Sequence, residues 1–213
     1  MMKKLLFILL LIGSVANLSA QDVIKEFFLN APVSITPLLS DVNKADFIDF
    51  LESGMKAKVK NRFGESVEMT KLTADFLQIK MSDRSELEMK IYRKNNVVEV
   101  IAVVNRVYAP SCVSTLEFYS RGWERSKLGK QLEMISLADF IPTKNIPDAV
   151  RRDFKAVDME LIKIELLEES DVITFSLNLE EYLEHEVYER ISPYLVPTIS
   201  YQWNGKRFKV KQS

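Results

Sequence analysis

Several kinds of residue are scarce in this sequence, and each scarcity excludes something. One cysteine, Cys112, and one histidine, His185, stand in 213 residues. A zinc site of Cys and His ligands is therefore excluded by count, and a lone thiol cannot close an internal disulfide. Six glycines and seven prolines leave little material for long loops. No phosphate-cradling glycine motif and no Gly-x-Ser-x-Gly nucleophile elbow is written in the chain. Neither sign of charge is in surplus: 29 Lys and Arg face 30 Asp and Glu, a net charge of −1. Nothing electrostatic selects nucleic acid or an anionic membrane as the main partner. The unbroken apolar run Leu5–Ile12 has eight residues, far short of the ~20 that span a bilayer.

What is present is the composition of a folded domain, with 47% apolar and 28% charged residues. Residues 1–20 read as a secretory signal peptide. Lys3 and Lys4 precede the apolar run, and Leu18-Ser19-Ala20 offers a cut before Gln21. That leader carries off two lysines and no acid, so 27 basic residues face 30 acids, a net charge of −3 over the remaining 193 residues. The expectation is an exported, soluble chain of the periplasm or the extracellular space, with no membrane span once the leader is cut.

Residues 21–213 read as a single α+β domain, with sub-lobes 21–130 and 131–213 as an option. Val23, Ile24, Phe27 and Phe28 fall at helical spacing before Pro32, and a second helix runs from Val42 to Ser53 behind Ser40-Asp41. From Met55 the period becomes two. Lys56, Lys58, Lys60 and Arg62 point one way, and Ala57 and Val59 the other. Alternation recurs through Val67–Leu72, with a break near Lys71, then Leu77–Met81 and Leu87–Ile91. Asn95-Asn96 marks a tight turn into the β-branched run Val97–Val107, and Val113–Ser120 follows. These strands predict an antiparallel meander of about six, with helices on one face and mixed charge on the other. Residues 131–156 read as broken helical pieces, Met159–Leu167 and Val172–Leu177 as two strands, and Leu179–Ile191 as an amphipathic helix. The C-terminal α/β extension closes on a hairpin, Ile199–Trp203 and Arg207–Lys211, around an Asn204-Gly205 turn of type I′.

Three features resemble an exported Bacteroidetes family known only as a domain of unknown function. They are the short leader ending before a Gln, the stretch Ala109-Pro110-Ser111-Cys112 followed by Leu116-Glu117-Phe118-Tyr119 and Trp123, and the closing Tyr201-Gln202-Trp203-Asn204-Gly205. The resemblance implies an α+β fold with antiparallel sheet. It supplies no activity to transfer.

Candidate chemistry is sparse. Glu181, His185 and Glu189 would share one face of a continuous helix at i, i+4 and i+8. They could hold a divalent ion with one further ligand, and the simpler reading is a solvated acidic face. Cys112 with His185 is the one thiol nucleophile pair available, and a serine nucleophile would need the same histidine; the simpler reading of Cys112 is a buried small hydrophobe. The lysine row at 56–62 could bind an anionic glycan, but cross-strand pairing with Glu68, Glu86 and Glu88 accounts for it. Tyr119, Arg121, Trp123 and Trp203 are the candidate binding set, since exposed aromatics beside a cation can stack on a sugar or anchor a protein. The reading is a non-catalytic binding or accessory module of the cell envelope, without cofactor or catalytic residues, whose partner is an envelope protein or glycan. The alternative is a carboxylate- or His-dependent envelope hydrolase. A homodimer through a sheet edge is a further option.

Overall fold

The computed structural model describes residues 20–211 except Pro110, Thr143 and Lys144. The leader read over residues 1–20 lies, apart from Ala20, outside them.

Two helices come first, α1 (Ala20–Leu29) and α2 (Asp41–Glu52). Ser40 caps α2 reciprocally. Its hydroxyl accepts from the Asn43 N–H at 3.1 Å, and its own N–H donates to the Asn43 side chain at 3.1 Å. Lys44, buried in α2, pairs with Asp41 at 2.9 Å and donates to the carbonyl of Leu29, the last residue of α1, and to that of Ala31 just beyond it, at 3.0 Å each. A cation at the last carbonyls of α1 suits both the dipole and the orphan acceptors there.

Six strands follow as a meander: β1 (Lys58–Lys60), β2 (Ser66–Leu72), β3 (Phe76–Ser82), β4 (Ser85–Lys94), β5 (Val97–Tyr108) and β6 (Cys112–Tyr119). Their order in space is their order in sequence, and every pair is antiparallel. The register slips between Met69 and Lys71, where the alternation of the sequence breaks. Asn95 and Asn96 both take positive φ, as a type I′ turn requires.

Further along, a 3₁₀ segment at Lys130–Met134, another at Leu137–Phe140 and α3 (Asp148–Ala156) are the broken helical pieces. Then β7 (Ile162–Leu166), β8 (Val172–Leu177), α4 (His185–Ile191), β9 (Thr198–Trp203) and β10 (Phe208–Val210) complete the chain. Strands β10, β9, β8 and β7, in that order, form a second antiparallel sheet.

The result is α+β in three layers. One face of the meander, with Leu77, Ile79, Met89, Ile101 and Val103, packs under α1 and α2 through Phe28 and Phe47. The other face differs from the sequence reading, which left it to mixed charge. Over β1–β3 it does carry charge, and registry places Lys58, Glu68, Lys80, Glu86 and Arg106 in one row of alternating sign across five strands. Toward β4–β6 the same face becomes apolar. There Tyr92, Val100, Ala102, Val104 and Phe118 bury against Ile162, Ile164, Phe175, Trp203 and Phe208 of the second sheet. The apolar run of β5 is thus buried on both sides. A third cluster joins Val150 and Phe154 of α3 to Leu161, Leu179 and Ile191.

Two local expectations change. The closing hairpin is not type I′. Phe208 pairs with Trp203, both are core residues, and four residues separate them, so Asn204 keeps negative φ while its side chain accepts from the N–H groups of Lys206 and Arg207 at 3.0 Å. The helix expected over Leu179–Ile191 is limited to its second half. Leu179 is buried, Leu183 closes one turn back onto its carbonyl, and extended Glu184 interrupts the chain before α4.

Candidate functional site

The interruption at Glu184 separates the proposed ion ligands. Glu181 lies in the turn before α4, so Glu181, His185 and Glu189 do not share a helix face. His185 is 82% exposed and, among the described residues, pairs with Glu189 alone, at 3.4 Å. Among the described residues no group of three or more His, Cys, Asp or Glu is placed to hold a metal ion. Cys112 opens β6, buried beside the Ser114 hydroxyl at 3.9 Å, and burial pushes its thiol up. A raised thiol is a poor nucleophile.

The aromatic set does not form one surface. Tyr119 and Trp203 are buried in different cores, on opposite faces of the meander. The Trp203 indole donates to the Arg93 carbonyl at 2.7 Å. Trp123 is half-buried in a tight turn at positive φ and packs edge-on against Phe27 of α1 and obliquely against Tyr119. Only Arg121 is freely exposed. Tyr119 and Trp123 are neighbours, but as packing partners.

The largest polar constellations lie instead at the two ends of β6. At its inner side, Arg106 of β5 is buried between the sheets. It pairs with Glu88 and, at 3.1 Å, with Glu86. It also donates to the Ile164 carbonyl of β7 at 2.8 Å. Glu88 in turn accepts from the Leu166 N–H at 3.2 Å and from Gln78 at 3.0 Å, while the Ser114 hydroxyl accepts from the Ile164 N–H at 3.0 Å. Side chains of the first sheet thus occupy three outward main-chain groups of β7, on Ile164 and Leu166. Nearby, Lys90 donates to the Glu168 carbonyl at 2.9 Å. Burial pushes this ammonium down, against the pull of Asp171, Asp75 and Glu168.

At the outer side, Arg125 lies over the Tyr119 ring at 5.3 Å and bridges Glu117 and Glu133, the latter at 2.7 Å. Tyr119 donates to Glu117 at 2.8 Å. Burial, then this carboxylate, pushes its phenol up. Glu133 also accepts the Phe118 N–H at 3.1 Å, which fastens the 3₁₀ segment to the edge of β6. Gly129 (φ 84°) lets that segment pass the Phe118 ring, where a Cβ would meet ring carbons at 2.6 Å.

Between β6, this 3₁₀ segment and β7 runs a groove of about 490 Å³. Leu132, Ile135 and Ile162 give it apolar walls, and Glu117, Arg125, Glu133 and Glu160 give it charge. None of these residues was singled out from sequence as a binding residue. The available signal was positional: Val113–Ser120 ends a meander, and the last strand of a meander has one free edge.

Comparison with known proteins adds to the fold. A family model described as "Protein of unknown function (DUF3256)" matches residues 15–208. A solved structure described as "Structure of a domain of an uncharacterized protein from Porphyromonas gingivalis W83", from a Bacteroidetes member, superposes with a TM-score of 0.76. The match covers 90% of this chain and 98% of that one at 22% identity. No curated protein matches.

Proposed function

The chain belongs to this DUF3256 family of unknown function, and we propose that it works as a non-catalytic binding module of the cell envelope, holding a protein partner in the groove between β6 and β7. One observation carries the reading. The groove joins apolar walls to a charged rim already fixed in place by the Glu117–Arg125–Glu133 bridge and the Arg125–Tyr119 stack. Side chains ordered before binding lose little entropy when a partner arrives.

The signal-peptide pattern of residues 1–20 supports the envelope as the place of work. A binding role rather than hydrolysis is favoured by the buried, upward-shifted Cys112 and the solvated His185, which stand on separate elements.

A photo-crosslinking residue at Thr115, on the rim of the groove, tests this in the native cells, with the same probe at exposed Lys58 of β1 as reference. A discrete protein adduct from position 115 and not from 58 is expected. Adducts from neither site, or equally from both, would overturn the reading. N-terminal sequencing of the envelope fraction tests the location, with Gln21 as the expected first residue.

A further inference from the structure

The two sheets have four outer edges, and three are closed. β1 is three residues long and displays Lys58 and Lys60 on either side of buried Val59. β10 is equally short, and exposed Lys209 lies at its centre. Lysines and brevity both discourage strand pairing. At the middle of β7 the Ile164 N–H and carbonyl and the Leu166 N–H are taken by Ser114, Arg106 and Glu88.

β6 is different. It has eight residues, and only its ends are capped. The Cys112 carbonyl accepts from Asn178 at 3.4 Å. The Phe118 N–H goes to Glu133, and its carbonyl accepts from the Ser126 N–H at 2.8 Å. Period-two alternation turns the main-chain groups of Ser114 and Leu116 outward with them, and no partner meets these groups among the described residues. Ser114, Thr115, Leu116 and Glu117 point alternately to opposite faces of the sheet, yet all four line the groove. That is the geometry of a channel running along the strand's edge rather than across either face.

We propose that β6 takes an extended, lysine- or arginine-bearing segment of the partner protein as an added strand. The inference rests on the groove being a protein-binding site and states how the partner is held. The N–H and C=O groups of Ser114 and Leu116 supply the main-chain hydrogen bonds, as in other strand-addition complexes. Half-buried Ile135, backed by the buried Leu132 and Ile162, meets the apolar side chains of the segment. Charge selects the rest. Glu117 and Glu133 already share Arg125, and Glu160 stands exposed before β7 with no side-chain partner among the described residues, so carboxylates outnumber cations along the groove. A basic side chain is attracted there and an acidic one repelled.

The test uses amide NMR of the ¹⁵N-labelled chain with two capped octapeptides, one alternating valine with lysine and one alternating valine with glutamate. The lysine peptide is expected to shift the Ser114 and Leu116 amides, to slow their hydrogen exchange, and to bind more weakly as salt rises. Glu160→Lys should weaken it about tenfold, one close charge interaction, with an unchanged melting temperature. Ser114→Ala, which removes only the hydroxyl that caps the Ile164 N–H, should leave the Leu116 shift in place, whereas Ser114→Pro, which also removes the outward donor without touching the ladder to β5, should abolish it. Equal binding of both peptides, shifts centred on β1 or β10, or a second copy of the chain occupying β6 would overturn the proposal. A partner that crosslinks from Thr115 but leaves Leu116 exchange unchanged would overturn strand addition alone, and the binding-module reading would stand. Loss of the crosslink itself would remove both.

Discussion

Arg106 and Glu88 sit diagonally on one face of neighbouring strands, and together they serve as the missing strand beside β7. Registry pairs Arg106 with Glu86 and Glu88 with Val104. The guanidinium gives a donor to the Ile164 carbonyl, and the carboxylate takes the Leu166 N–H. The pair therefore does more than neutralise itself.

Arg106→Ala should destabilise the fold by about 3–5 kcal/mol, because it leaves a buried carboxylate without its cation. The double variant Arg106→Met with Glu88→Leu separates two accounts. A self-contained ion pair would be replaced by apolar residues at no net loss. Here the Ile164 and Leu166 main-chain groups would lose their partners, so the double variant should remain about 1–3 kcal/mol below the parent. Urea melts of the four proteins in the cycle decide the matter, and full recovery in the double variant would refute the edge-capping role.

Gly129→Ala should be among the most damaging single-methyl additions. The position has φ 84°, and its new Cβ would press on the Phe118 ring. Backbone strain of about 1–2 kcal/mol adds to overpacking of about 1–3 kcal/mol. The 3₁₀ segment should detach from β6 first, visible as faster exchange of the Phe118 amide.

Tyr108 donates to Glu86 at 3.3 Å, and burial followed by that carboxylate pushes its phenol up to about 12. The neutral form is the one the fold favours. Its contribution is complete below the ordinary tyrosine value of 10.0 and is lost as pH rises toward 12. Ultraviolet titration should show a late tyrosinate step, shared with the upward-shifted Tyr92 and Tyr119, that Tyr108→Phe reduces by one group, and that variant should lose stability less steeply above pH 10. An unchanged titration curve would contradict the assignment.

Cys112 should resist an aromatic disulfide reagent in the folded protein and react promptly in denaturant, since burial both shields the thiol and raises its pKa. Rapid labelling under native conditions would contradict this placement.

The strands of the meander were legible because alternation, turn residues and the break at Lys71 all act locally. The cover on its second face was not. Val100, Ala102 and Val104 announce burial on both sides of β5, but what buries them arrives from Ile162 onward, and no local rule pairs those segments. The same limit explains the binding set. An exposed and a buried tryptophan share one letter, and Trp203 is fixed by a carbonyl 110 positions away. The helix at Leu179 failed for a related reason. Its apolar stripe was real, but Leu179 and Ile191 serve the third core cluster from two separate turns.

The first sheet has the strand order of the chain itself, and this bears on how it assembles. Each strand of the meander closes against the one just made, so loops are short and the entropy lost at each closure is small. The second sheet cannot finish until β9 and β10 exist, because they complete its order beside β8. Until then Phe118 and Tyr92 lack Phe208, which they meet at ring separations of 5.3 and 4.9 Å. A chain shortened before Phe208 would therefore fold its meander and retain a sticky aromatic face, and its fate would be set by aggregation rather than by unfolding.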